Sequence, residues 1–581
     1  MGLDVVGRLL NINFSGRDAL PAREFSLQFN LPAQMKDKRY RPEQNLSALQ
    51  KELRTYQDAP LSQLELAIAQ LQFLVRYECP LKKRLAMLEL VGGEVSALIR
   101  RIYRQYRDEY SASGNSSRKH NLDHLLELIR LLTVGFQQVF FSLYQLPEYR
   151  YQGQRKRLVK VGMRILELFY VEQRVCALCY QLFPPQRWRD FNQVFFVLWL
   201  CGEVNELQPL MIDLPGHLRS SEVASNKTQQ IMPRQLFISV QLFGSVDCYT
   251  WPSEFVQVLD SYIKLFEPEL EIKPDDGVEL QCGHLLTFSN SERPPLYRRT
   301  NPQGVGFLID ILALKHQVGH DYACLNSLEE NEVLQRVSAP LSVLSQTQRL
   351  AFVDMLQNKL QPRQRRDERI VIEAYRDFTV VSGFMNCYKK LPKGSKKPVT
   401  RDSVLSISLD DMLAGRSSVL ADDSRDVKHG EWYVINDSKG GVLVRAKETR
   451  YLVALGVGQL VLFSPLTDSS TPAQVGYVSR LLRSGLGEIS VTIQKLSSQA
   501  ENVVLQTALM HQSGEAVPAF LIRAVKSMGW QLLVPSKYTE QLSQEGLFMR
   551  RGKRLFSVDV IQIVQRHKDY SLLDIQSTSS S

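Results

Sequence analysis

From residue 46 to about residue 206 the apolar positions recur at i, i+3, i+4 and i+7, the stripe of a helix with one buried face. Leu46 to Tyr56, Ser62 to Tyr77, Leu81 to Tyr110, Leu122 to Leu146, Lys156 to Phe183 and Phe191 to Val204 each carry it. Ser62-Gln-Leu-Glu65 has the form of a capping box, and Pro184-Pro185 stops a helix. Ser111 to Ser117, with Gly114 and Asn115, reads as a loop between long antiparallel neighbours. No fixed-period repeat underlies the series, so residues 1–225 are expected to form an all-α bundle or array rather than a true solenoid. The first 45 residues, broken by Pro21, Pro32 and Pro42, hold no period.

Residues 226–345 mix the two signals. Gln235 to Val240 fits a strand or a short buried helix, Ser253 to Phe266 an amphipathic helix, and Leu285 to Phe288 a strand ahead of the turn Ser289 to Pro295. Gly306 to Ala313 and Leu328 to Arg336 read as helices, and the whole region as a coupling between its neighbours. After a helical stretch from Gln346 to Leu360 the period switches to two. Ile370 to Tyr375, Trp432 and Val434, Val442 and Val444, Val457 to Phe463, Val475 to Leu482 and Glu488 to Ile493 predict a small antiparallel barrel over residues 346–500. The segment 391–430, polar and rich in turn residues, is expected to be an inserted surface loop with one helical turn near Leu409 to Leu413. Residues 501–575 stay β-rich, with a hairpin turn at Arg550-Arg551-Gly552-Lys553, and form either a second small barrel or an extension of the first sheet. The serine-rich tail, Asp574 to Ser581, with 576–581 as its end, is expected to be disordered. The fold class is thus multidomain α+β: an N-terminal helical bundle, a mixed middle and a C-terminal antiparallel β-barrel with further β extension.

Composition narrows the function. A chain of 581 residues, 44% hydrophobic and 23% charged, is globular and long enough for three to four domains. A formal charge of +10 suits an anionic ligand or partner and falls short of a protein that coats a nucleic acid polymer. The eight cysteines are scattered through apolar segments, as reduced thiols are. There is no signal-peptide pattern, and Val6 stands where myristoylation needs Ser or Thr. Leu131 to Leu146 is interrupted by Gln137-Gln138 and Phe195 to Cys201 is short, so no membrane span and a cytoplasmic location are expected.

Enzyme and metal signals are weak. Cys176-x-x-Cys179 lies inside an apolar helical pattern without a second pair and reads as core. His316, His320 and Cys324 fall on one helix face, but Gly319 sits among them and no Glu follows His316. His120 and His124 straddle an expected helix start. No phosphate loop, nucleophile elbow or dinucleotide fingerprint is present, so neither enzyme activity nor a cofactor or metal is expected.

Two stretches stand apart from this background. Arg363-Gln-Arg365-Arg366-Asp367-Glu368-Arg369 precedes the strand Ile370-Val-Ile372, and Asn436-Asp437-Ser438-Lys439-Gly440-Gly441 joins two strands. Arg365 and Arg369 in RxxxR spacing, Asn436-x-Ser438-x-x-Gly441 and Val475-Gly-Tyr-Val-Ser-Arg-Leu481 together resemble a PilZ domain over residues 346–500, though that family lacks so long an insertion between the motifs. The resemblance implies a six-stranded barrel that binds cyclic di-GMP, with outputs of the motility, pilus or biofilm kind through an unknown protein partner. A cyclic dinucleotide offers two phosphates and guanine edges, and guanidinium forks match both in bidentate geometry where an ammonium offers a point charge. Arg365 and Arg369 are then the clamp, with Arg366 beside them, Asn436 and Ser438 the groups for a base edge, and Gly441 the place of close backbone approach. No signature of the enzymes that make or degrade cyclic di-GMP accompanies them. The expected role is an effector whose barrel shifts relative to residues 1–345 on binding; the alternative is a degenerate barrel that has lost the nucleotide and serves as a scaffold.

Overall fold

The computed structural model describes residues 26–578 apart from short gaps, the longest at 110–115, 147–151, 215–229, 278–282, 362–369, 372–376, 392–431, 448–454, 466–472, 511–515 and 524–528. The chain divides into two compact units, residues 1–343 with 352–364 and residues 344–351 with 365–581.

The first unit is built from α1 (Leu46–Thr55), α2 (Pro60–Arg76), α3 (Leu81–Glu109), α4 (Ser116–Gln145), α5 (Gln152–Leu178) and α6 (Pro185–Leu200). Asn45 starts α1 by accepting the N–H groups of Ser47 and Ala48 on its side chain. The expected capping box is not used: α2 begins two residues earlier, at Pro60, whose fixed φ suits the first helical position, and Ser62 and Glu65 lie inside the helix. Likewise α4 begins at Ser116, so His120 and His124 sit within it rather than astride its start. α4 packs on α2, α3 and α5. Its segment Asn121–Gln145 is long and apolar enough to cross a bilayer by length and composition, yet 67% of its most apolar window is buried in the protein, as in the central helix of a bundle.

The strands β1 (Gln208–Pro209) and β2 (Gln230–Ile231) pair with each other, and α7 (Pro233–Ser245) and α8 (Ser253–Phe266) follow. Gln235 to Val240 is therefore helical. β3 (Ile272–Pro274), β4 (His284–Phe288) and β5 (Gly306–Asp310) form an antiparallel sheet in the order β3-β5-β4. Gly306 to Ala313, expected as a helix, is instead strand through Asp310. Phe307 and Ile309 are buried at period two, and Phe307 meets Phe195, Trp199 and Phe237 edge-on, with ring centroids 5.4 to 6.1 Å away. Two paired edges and this aromatic cluster override a local pattern that also fits a helix turn. The unit continues through α9 (Leu312–Ser327), α10 (Glu330–Arg336) and the later part of α11 (Gln346–Lys359).

Charge is buried within this helical core. The guanidinium of Arg174, fully buried on α5, donates to Asp260 of α8 at 2.8 Å and lies over the rings of Tyr170 and Phe243 at 3.9 and 4.2 Å. The Tyr170 hydroxyl donates to the same carboxylate at 2.9 Å and Lys264 approaches it to 3.3 Å. Burial alone would push the Asp260 carboxyl up; Lys264 and Arg174 hold it down, at about 2. Glu172, also fully buried, pairs with Arg130 at 2.6 Å and Arg187 at 3.4 Å. Cys176 and Cys179 are buried and form no disulfide, in keeping with a core role.

The second unit holds two barrels. The first contains β6 (Ile370–Val371), β7 (Asp377–Ser382), β8 (Trp432–Asp437), β9 (Gly441–Lys447), β10 (Leu460–Pro465), β11 (Gln474–Arg483) and β12 (Glu488–Ser497), with α12 (Phe384–Lys390) after β7. The order β6-β8-β7-β10-β11-β12-β9 closes through pairing of β9 with β8. Trp432, Val434, Val442 and Val444 are buried, as their alternation requires. The second is a closed barrel of β13 (Ala500–Thr507), β14 (Val517–Arg523), β15 (Trp530–Pro535), β16 (Leu547–Arg551), β17 (Arg554–Arg566) and β18 (Tyr570–Thr578), with α13 (Thr539–Gln544) between β15 and β16. Val503, Leu505, Leu521, Leu532, Val534 and Leu573 fill it. The β-rich C-terminal stretch is therefore a second barrel. Its last strand corrects the expected tail: Asp574 to Thr578 belong to β18, where Ile575 is buried and Ser577 and Thr578 pair with Val558 and Ser557. The expected helical turn near Leu409 to Leu413 lies outside the described residues.

The barrels pack outer face to outer face. Phe384, Cys387 and Leu391 of α12 and its end, with Leu460, Leu462 and Val475, meet Phe520, Ile522, Leu533, Tyr570 and Leu572. The Tyr388 hydroxyl donates to the Val503 carbonyl at 3.2 Å, and the Asn502 amide donates to the carbonyls of Tyr388 and Leu391 at 2.7 and 3.2 Å.

Candidate ligand-binding site

The turn between β8 and β9 is closed by its own residues. The Ser438 N–H donates to the Gly441 carbonyl at 2.9 Å, the Ser438 hydroxyl donates to the same oxygen at 2.9 Å, and the Gly441 N–H donates to Ser438 Oγ at 3.1 Å. A hydroxyl oxygen has two lone pairs, so Ser438 keeps one acceptor site beyond the turn. Lys495 of β12 ties the turn down by donating to the Asp437 carboxylate and, at 3.0 Å, to the Ser438 carbonyl. The side chain of Asn436, half-buried, makes no hydrogen bond among the described residues.

A β-bulge decides which way Asn436 faces. The ladder pairs Val434 with Val444 but Asn436 with Leu443, leaving Ile435 as the extra residue. Strict alternation would have sent Asn436 inward with Trp432 and Val434. The bulge moves it to the face of Leu443, since directly paired residues share a face.

Gly441 has a reason internal to the fold. A Cβ there would stand 2.9 Å from the Ile493 carbonyl oxygen of β12, so glycine allows this backbone approach. Gly476 is tighter still: a Cβ would lie 2.4 Å from the Gln494 oxygen.

Arg365, Arg366 and Arg369 fall outside the described residues. The backbone that follows them is placed: Ile370 pairs with Asp437 and Val371 with Asn436, antiparallel. The chain therefore enters β6 one residue after Arg369, at the end of β8 that leads into the Ser438 turn. Sequence reasoning missed Lys495. It stands in an ordinary outward position of a strand, and only the register, which sets Gln494 against Gly441, brings it under the turn.

The other candidates lie in the first unit. His320 and Cys324 touch, with the thiol 3.7 Å from Nε2, on α9 of the helical unit. No group of three or more His, Cys, Asp or Glu side chains that could hold a metal ion occurs among the described residues.

Residues 48–275 match the family model described as cyclic-di-GMP receptor FimW, N-terminal domain. No curated protein and no solved structure matches the chain. The matched span runs from α1 to the end of β3 and includes the helical core with its buried Arg174–Asp260 pair, so this part of the chain is similar to the N-terminal domain of the cyclic-di-GMP receptor FimW.

Proposed function

We propose that the first barrel binds cyclic di-GMP and that the chain is a receptor which passes this signal to a protein partner without chemistry on the nucleotide. Arg365 and Arg369, flanked by Arg366, clamp the phosphates and guanine edges. Asn436 and Ser438 bond a base edge beside Gly441. The observation that supports this reading is the pairing of Ile370 and Val371 with Asp437 and Asn436, which starts β6, the strand that follows Arg369 in the sequence, opposite the end of β8 that leads into the turn. The turn matches the ligand's needs. Asn436 has its amide donors and carbonyl acceptor open among the described residues, Ser438 has an acceptor left, and arginines supply the charge for two phosphates. The match of residues 48–275 to a receptor family agrees with it.

A second reading has an observation of its own. The turn is held by hydrogen bonds among its own Ser438 and Gly441 and from Lys495, as a retired site kept as scaffold would be. Calorimetric titration of the full chain with cyclic di-GMP separates the two. Replacing both Arg365 and Arg369 by Ala removes charge-assisted bonds worth about 1.5–3 kcal/mol each, so affinity falls tenfold or more. No binding by the native chain gives the scaffold reading, and native affinity in the double variant refutes the assigned clamp.

A further inference from the structure

The second barrel carries a basic, partly apolar rim that nothing in the ligand reading uses. At one end of the barrel Arg523 is paired with Trp530 at the facing ends of β14 and β15, and Arg551 with Arg554 across the β16–β17 hairpin. Arg550 is paired with Leu555 one step further in, and these two share the face opposite to that of Arg551 and Arg554. Arg551 brings the strand ends together. It donates to both carboxylate oxygens of Glu501 on β13 and its guanidinium lies 5.9 Å from the Trp530 ring. Glu501 is thereby used up, while Arg523, Arg550 and Arg554 make no ion pair among the described residues. Leu555 is 61% and Trp530 40% exposed.

We infer that this rim is a docking surface for an anionic lipid bilayer. The charge is one-sided: four guanidinium groups against a single, already paired carboxylate. The apolar groups are those that partition into the headgroup region, an indole with one polar edge and a leucine at a projecting hairpin. Arginine stems bury along such an interface while their heads stay with lipid phosphates. The two terms act together, since a cluster of cations or one leucine alone binds a membrane only marginally. The inference is independent of whether the first barrel binds a nucleotide.

The test is flotation of the full chain with vesicles of phosphatidylcholine alone and of phosphatidylcholine mixed with phosphatidylglycerol. Binding is expected to the mixed vesicles only and to weaken with added salt. Neutralising Arg550 and Arg554 together, Arg550→Gln and Arg554→Gln, should lower partitioning about thirtyfold, each arginine at an anionic surface contributing roughly a fivefold factor. Leu555→Asp should weaken it with all the arginines in place. Both changes are at exposed positions, and unchanged circular-dichroism melting shows that they leave the fold intact. Absence of the chain from the mixed vesicles, or flotation that neither variant alters, overturns the inference. A polyglutamate probe bound by the native chain and lost in the arginine variant, without flotation, would give the rim to an acidic protein instead.

Discussion

Replacing Arg174 by Met tests how the helical unit tolerates charge in its core. The substitution keeps an unbranched stem of similar bulk but removes the Nε bond to Asp260 at 2.8 Å, the Nη2 bond to the Ser239 carbonyl at 3.2 Å and the contacts over Tyr170 and Phe243. It leaves the carboxylate of Asp260 buried with Lys264 and the Tyr170 hydroxyl as its remaining partners. Removing one partner of a buried pair costs about 3–5 kcal/mol, chiefly because the survivor stays desolvated. The proton linkage gives a separate measure. The Asp260 carboxyl lies at about 2, below its ordinary 3.8, a difference worth roughly 2.5 kcal/mol. Because the folded value is depressed, that contribution is present above pH 3.8 and is lost as the pH falls through about 2. The measurement is hydrogen exchange in α5 and α8, with β14 and β15 of the other unit as internal reference. Arg174→Met should speed exchange in the helices alone. The double change Arg174→Met with Asp260→Leu should recover most of the loss, an apolar pair being about as stable as a buried ionic one. If the double variant is no better than the single, the cost lies in shape, and the electrostatic reasoning is wrong.

His567 is buried between Tyr477 of the first barrel and Tyr570 of the second, with ring centroids 4.6 and 4.5 Å away, and burial lowers its pKa to about 3. With the folded value depressed below 6.5, its contribution is present above pH 6.5 and lost as the pH falls toward 3. The barrels should lose about 2 kcal/mol of stability between pH 7 and 5, and His567→Phe should flatten that dependence in urea titrations; an equal slope in the variant would contradict it. Gly476→Ala sets a Cβ 2.4 Å from a backbone oxygen of β12, and overpacking of this kind should cost about 1–3 kcal/mol in barrel unfolding; native stability would mean that β12 yields freely. Lys495→Met frees Asp437 and the Ser438 carbonyl, so the proposed affinity for cyclic di-GMP should fall about tenfold or more by calorimetry, as the loss of one charged hydrogen bond worth about 1.5–3 kcal/mol implies. Unchanged affinity would separate the shape of this turn from binding.

The legible parts of the fold are those where burial has a single period. The six N-terminal helices follow from stripes that tertiary packing only extends, and Trp432, Val434, Val442 and Val444 announce their strands because one face of each is interior. What sequence hides is set by partners distant in the chain. Gly306 to Asp310 reads equally as a turn of helix until β3 and β4 lie on either side of it. Arg174 and Glu172 occupy positions that look like a solvated face, and their burial depends on Asp260, Arg130 and Arg187. In the candidate site, Asn436 and Ser438 were visible as turn chemistry. The bulge at Ile435 and the reach of Lys495 were not, since register is a property of two strands at once.

The greasy seam between the barrels sets where the chain can be cut. A fragment ending at Ser498 would keep every strand of the first barrel, yet it would lay bare Phe384, Leu460, Leu462 and Val475, and strip α12 of the amide of Asn502 that holds its last carbonyls. Such a piece should be sticky and prone to self-association, as freshly exposed apolar patches are. The smallest portable form of the first barrel therefore runs to Thr578, and a loss of the proposed binding in any shorter piece would report the missing neighbour before it reported the turn.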